Sequence, residues 1–149
     1  MAASFASVGF ISNRAQNVLA EQTPNVASAK EKVTGIGGFF FRAMDPTALA
    51  RWYDEHLGVL PVPTTYGGPV WQQEAGPTAF SPFPESTSYI GDRTKTWMIN
   101  FRVGNLDRLV AQLRASGIDV SVDPQTYPNG RFAHLHDPDG NRIELWQPA

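Results

Sequence analysis

Two alternating runs near the C-terminus set the frame. From residue 131 to 136, apolar Ala133 and Leu135 alternate with Phe132, His134 and His136. From 141 to 147, Ile143 and Leu145 alternate with Arg142, Glu144 and Trp146. Side chains on a strand alternate between its faces, so each run predicts a strand with one core face. Asp137-Pro138-Asp139-Gly140 lies between them and reads as a tight turn, because proline presets φ and glycine accepts positive φ. A three-residue loop or bulge keeps Phe132, His134 and His136 on the face of Glu144, whereas a two-residue hairpin moves them to the other.

Upstream, apolar positions recur at helical spacing twice. Leu49, Trp52, Tyr53 and Leu57 form one stripe, introduced by Asp45-Pro46 and closed by Gly58. Leu106, Leu109, Val110 and Leu113 form another, introduced by Asn105 or Asp107 and ending at Gly117. These are cap residues placed where helices start and stop. Each helix follows a strand-like segment, 38–43 and 98–103, and precedes three more: 59–62, 70–74 and 78–83, then 118–122, 131–136 and 141–147. The chain therefore reads as two β-α-β-β-β modules, 33–84 and 96–148, joined by a polar linker, 85–95. A unit of ~55 residues buries its own sheet face poorly, so the two are expected to pair.

Composition narrows the function classes. The 149 residues are 42% hydrophobic and 17% charged, as in a globular chain, and the formal net charge of -2 offers nothing to nucleic acid or an anionic membrane. Without cysteine, disulfides, thiolate metal sites and thiol nucleophiles are excluded. No apolar run approaches the ~18–20 residues of a spanning helix. Residues 1–30 carry only Arg14, Glu21 and Lys30 as charges. They read as an N-terminal arm with a loose stripe of Phe5, Val8, Ile11, Val18 and Leu19, or as a Ser/Ala-rich targeting segment. A cytoplasmic location is expected, with organelle targeting by this segment as the alternative.

A β-α-β-β-β pair ending in DPDGNRIEL resembles the vicinal oxygen chelate superfamily of glyoxalases, bleomycin-resistance proteins, fosfomycin-resistance enzymes and extradiol dioxygenases. The resemblance spans about residues 33–148. It implies an α+β fold in which two modules curl a mixed sheet into a cup-shaped half-barrel, commonly in a homodimer. It also implies a small molecule, often with a divalent metal, inside the cup. The family's four metal-ligand positions fall on Gly38, Phe80, Met98 and Glu144. Only Glu144 suits a hard cation, so the resemblance implies a cup without the family's metal, and no cofactor is expected.

Strand parity then gives an expected cup lining: Phe40 and Arg42 from the first strand, Thr78, Phe80 and Pro82 from the fourth, Met98, Asn100 and Arg102 from the fifth. Phe132, His134, His136, Arg142, Glu144 and Trp146 complete it. His134 and Glu144 form a candidate acid–base pair, and Arg42 with Arg102 a candidate clamp for an anionic group. Duller roles stand beside these. Glu144 pairs with Arg42 or Arg102, and His134 is a hydrogen-bonded wall residue. His136 bonds the turn backbone, His56 favours its helix C-terminus, and Trp52 and Tyr53 fill the core. A rearranged metal site of His134, His136 and Glu144 is a strained alternative, since residues 134 and 136 lie ~6.5 Å apart along a strand. Three functions remain: a small-molecule binding module, a glyoxalase-like lyase, isomerase or dioxygenase, and a dimeric interaction protein.

Overall fold

The computed structural model describes residues 31–149, so the N-terminal arm lies outside the described residues. These divide at Phe39 and Phe40 into two units. Residues 31–39 form no helix or strand, and the second unit, Phe40–Ala149, carries every element. In chain order these are α1 (Pro46–Leu57), β1 (Ile99–Arg102), α2 (Leu106–Ala115), β2 (Ser121–Val122), β3 (Gly130–His136) and β4 (Arg142–Pro148). The sheet order is β1-β4-β3-β2, with β1 parallel to β4 and the other pairs antiparallel. The second module is thus the expected β-α-β-β-β unit, and the fold is α+β with an open mixed sheet.

Local chemistry places the helices where the capping residues predict. The Asp45 carboxylate accepts from the Thr47 and Ala48 amides, Pro46 occupies the first turn, and Gly58 closes α1 at φ 67°. Asn105 rather than Asp107 caps α2, accepting from the Arg108 amide at 2.9 Å, while the Gln147 side chain of β4 accepts from Leu106 N at 2.7 Å. Leu49 and Tyr53 of α1 and Leu106, Val110 and Leu113 of α2 meet Ala133, Leu135, Ile143 and Leu145 of the sheet. Fully burying each large aliphatic side chain here contributes about 2 kcal/mol, so this layer holds both helices to one sheet face.

The other expected strands do not pair. Among the described residues, 40–43, 59–62, 70–74 and 78–83 enter no ladder. Pro61, Pro63, Pro69, Pro77, Pro82 and Pro84 lie between residues 59 and 84, and each removes the amide a ladder needs. Phe40 and Phe80, expected to line a cup, are 89% and 90% exposed. The first half contributes its helix and irregular segments to the fold, and the mixed sheet is open, with its four strands all from the second half.

A buried carboxylate ties α1 to the second half. Asp137 is buried in the β3–β4 turn, where Oδ1 accepts from the Asp139 and Asn141 amides (3.0 and 2.8 Å). Its Oδ2 accepts from the Asn141 amide group (2.8 Å) and from the Tyr53 hydroxyl of α1 (2.9 Å). Burial and the neighbouring carboxylates of Asp137 and Asp139 push the Tyr53 phenol far above its ordinary pKa, so it remains a donor. Asp137→Ala is expected to cost about 2–4 kcal/mol, since it strands buried donors as well as losing hydrogen bonds. Tyr53→Phe is expected to cost only about 1 kcal/mol for its single bond. Urea midpoints for the two variants check this; equal losses would show that the turn tolerates an empty acceptor.

Candidate functional site

The turn geometry decides what faces Glu144. Asp137 N donates to Asn141 O at 3.0 Å and Gly140 N to Asp137 O at 2.9 Å, with Gly140 at φ 76°. This is the three-residue loop ending in a left-handed residue, and it preserves parity. His134 therefore stands opposite Glu144, Phe132 opposite Trp146, and His136 opposite Arg142. On the other side of β4, Asn100 is level with Glu144 and Arg102 with Trp146. By this register Asn100, Arg102, Phe132, His134, Glu144 and Trp146 share one parity across the sheet.

Glu144 is 5% exposed and fully engaged. Oε1 accepts from the Asn100 amide group at 2.6 Å. Oε2 takes the Tyr89 hydroxyl and His134 Nε2, the latter at 2.8 Å. Burial alone would raise the Glu144 pKa, but the hydrogen bonds from His134, Tyr89 and Asn100 together outweigh it and hold the carboxyl below its ordinary value. Burial and the adjoining carboxylate raise the Tyr89 phenol well above its ordinary value, which keeps it a donor. Because the ionised carboxylate only accepts, Nε2 of His134 carries the proton. Nδ1 has no hydrogen-bond partner among the described residues. His134 stands at the wall of an open pocket.

That pocket, about 260 Å³, is lined by Tyr89, Asp123, Tyr127, Asn129, Phe132 and His134. Phe132 stacks parallel to Trp146 (6° between planes), and the Trp146 indole donates to Asn129 O at 2.7 Å. Tyr127 meets Phe132 edge-on at 5.7 Å between centroids, and Tyr89 meets His134 edge-on at 6.1 Å. Gly130 makes the close approach possible: a Cβ there would stand 2.1 Å from Gln147 O, at φ 129°.

Several expected partners are elsewhere. Neither Arg42 nor Arg102 reaches Glu144, so the cross-sheet ion pair is not the one found. Arg102 donates to Glu74 O at 2.7 Å, and Arg42 lines a separate pocket with Lys95, Asp139 and Asn141. The two therefore do not form the expected clamp, because the strand meant to carry Arg42 is not paired. His136 is exposed at the sheet end. Tyr89 is the residue that the sequence reading passed over, since it lies in the stretch assigned as a linker. Its signal was an aromatic among Ser86, Thr87, Ser88 and Gly91. Tyr127, Asp123 and Asn129, in the β2–β3 connection, were also missed.

The donor set does not fit the family's metal. Gly38 has no side chain, Phe80 has no donor atom and Met98 offers only a thioether, while both Glu144 oxygens are occupied by hydrogen bonds. Among the described residues no three His, Asp or Glu side chains converge on one point that could hold an ion.

A mixed sheet with helices on one face and a hydrogen-bonded carboxylate on the other defines an α+β fold of the glyoxalase type. Residues 35–145 match the Glyoxalase/Bleomycin resistance protein/Dioxygenase superfamily, and the chain belongs to that family. No curated protein matches it. Among solved structures, TnmS3, an antibiotic binding protein from Streptomyces sp. CB03234, is 36% identical over 36% of this chain and 45% of its own (TM-score 0.33). A glyoxalase/bleomycin resistance protein from the same organism is 39% identical over 33% and 42% (TM-score 0.30). The chain thus spans less than half the length of both. A glyoxylase/bleomycin resistance protein/dioxygenase domain from Frankia sp. EAN1pec is 21% identical over 79% and 100% (TM-score 0.48). Among the described residues, no helix is long and apolar enough to cross a membrane.

The lowered Glu144 value sets a pH dependence. The unfolded carboxyl, near 4.3, takes up a proton before the folded one does. The stabilisation is therefore complete above that value and is lost as pH falls through the folded pKa. Urea midpoints measured from about pH 6 to pH 3 are expected to fall less steeply for Glu144→Gln than for the natural protein. Equal slopes would mean that Glu144 titrates normally.

Proposed function

We propose that this protein binds a small, partly aromatic organic molecule on the sheet face beside Glu144, without a metal ion. The carrying observation is that Tyr89, Asn100 and His134 occupy the carboxylate that the family uses as a metal ligand. Phe132, Trp146, Tyr127 and Tyr89 supply apolar faces, and His134, Asn129 and Asp123 a few polar groups, the usual makeup of a small-molecule site. The reading includes a homodimer in the cytoplasm, with the exposed Phe40 and Phe80 of the first half as surface a second chain would cover. A second reading rests on the free Nδ1 of His134: metal-free acid–base turnover of the bound molecule, with Glu144 orienting the ring.

Calorimetric titration with naphthol, naphthoate and naphthylmethylammonium, in the presence of a chelator, tests the binding. At least one is expected to saturate at about one molecule per chain with affinity unchanged by the chelator, as a preformed organic site would show. Saturation that requires added zinc, nickel or manganese would overturn the metal-free reading.

A further inference from the structure

Resting on that reading, the geometry points to an organic cation as the ligand class: we infer that the pocket between β3 and the inter-module segment is an aromatic cage for a small alkylammonium group. Three of its six lining side chains are phenyl or phenol rings, Tyr89, Tyr127 and Phe132. The Tyr127–Phe132 and Tyr89–His134 pairs are steeply inclined, at 73° and 89°, so the lining rings are not coplanar and do not form a flat slot. The π-faces carry partial negative charge and attract a cation, and more strongly where water is partly excluded.

The charges agree with the rings. The lining contains no lysine or arginine among the described residues, and its one formally charged carboxylate is Asp123. Asp123 is held in place, Oδ1 accepting from Gln125 N at 2.9 Å and Oδ2 from the Tyr127 hydroxyl at 3.1 Å. The second hydrogen bond fixes the Tyr127 ring as well as the carboxylate. Behind the wall, ionised Glu144 adds a second negative centre through His134 and Tyr89. The guanidinium of Arg142 lies 5.7 Å from the Tyr89 ring centroid and donates to Tyr89 O. It does not line the pocket. The volume, about 260 Å³, suits a trimethylammonium group with a short polar tail.

Choline and its neutral isostere, in which carbon replaces the quaternary nitrogen, are the probes, titrated into the natural protein by calorimetry. Choline is expected to bind about tenfold or more tightly than the isostere, since shape and apolar area are matched and only the charge differs. Asp123→Asn is expected to erase most of that preference and Tyr127→Leu to weaken choline binding further. Tyr127→Phe, which keeps the ring, and Asp107→Asn, a surface partner of Arg131, retain the preference. Should Asp123→Asn fail to fold, the Tyr127 pair carries the test. Equal binding of choline and isostere overturns the cation assignment and leaves the small-molecule reading intact. So does absence of choline binding where a naphthyl compound binds. Absence of binding by every probe overturns both.

Discussion

A carboxylate taken out of water must be given other donors, and the arrangement around Glu144 follows from that requirement. Burying an unpaired charge costs several kcal/mol, so the position is stable only because a phenol, a carboxamide and an imidazole replace the lost hydration. Those three donors come from three places: Tyr89 from the segment between the modules, Asn100 from β1 and His134 from β3. This buried charge therefore fixes one segment and two strands relative to β4. It also orients the aromatic walls, because Tyr89 and His134 are at once its donors and the sides of the pocket.

The same arrangement separates fold from chemistry. The resemblance implies an acid at this point of the last strand, one that meets an ion in metal-dependent members. Here the donors to that acid are the side chains of Tyr89, Asn100 and His134. A site of this kind discriminates by shape, charge and ring faces, which is why the polarity of its lining carries the functional argument. The turn that precedes β4 is part of the device, since Asp137 holds the loop parity that puts His134 across from Glu144.

Much of this was legible in residue patterns, and the reasons for the exceptions are physical. Ile143 and Leu145 against Glu144, and Ala133 and Leu135 against His134, are period-two signals backed by a core, so both strand faces read correctly. Asp45-Pro46 and Asn105 mark helix starts through local hydrogen bonds that need no tertiary context. The strands of the first half misled because apolar content was weighed above the prolines at 61, 63, 69, 77, 82 and 84, which deny a ladder its donors. Phe40 and Phe80, assigned to the cup with those strands, fell with them. Tyr89 escaped because no periodicity marks a functional side chain in an irregular segment. Only the need of Glu144 for a third donor identifies it, and that need appears once the charge is known to be buried.

The central claim is that hydrogen bonds from protein side chains, not a metal ion, satisfy Glu144. Carbon NMR titration of the glutamate carboxyl carbons, with Glu144 assigned by its absence in Glu144→Gln, tests this directly. The Glu144 pKa is expected below the ordinary glutamate value, rising towards it in Tyr89→Phe and unmoved by zinc or nickel. A normal or raised value in the natural protein, or a resonance displaced by a stoichiometric divalent ion, would contradict it.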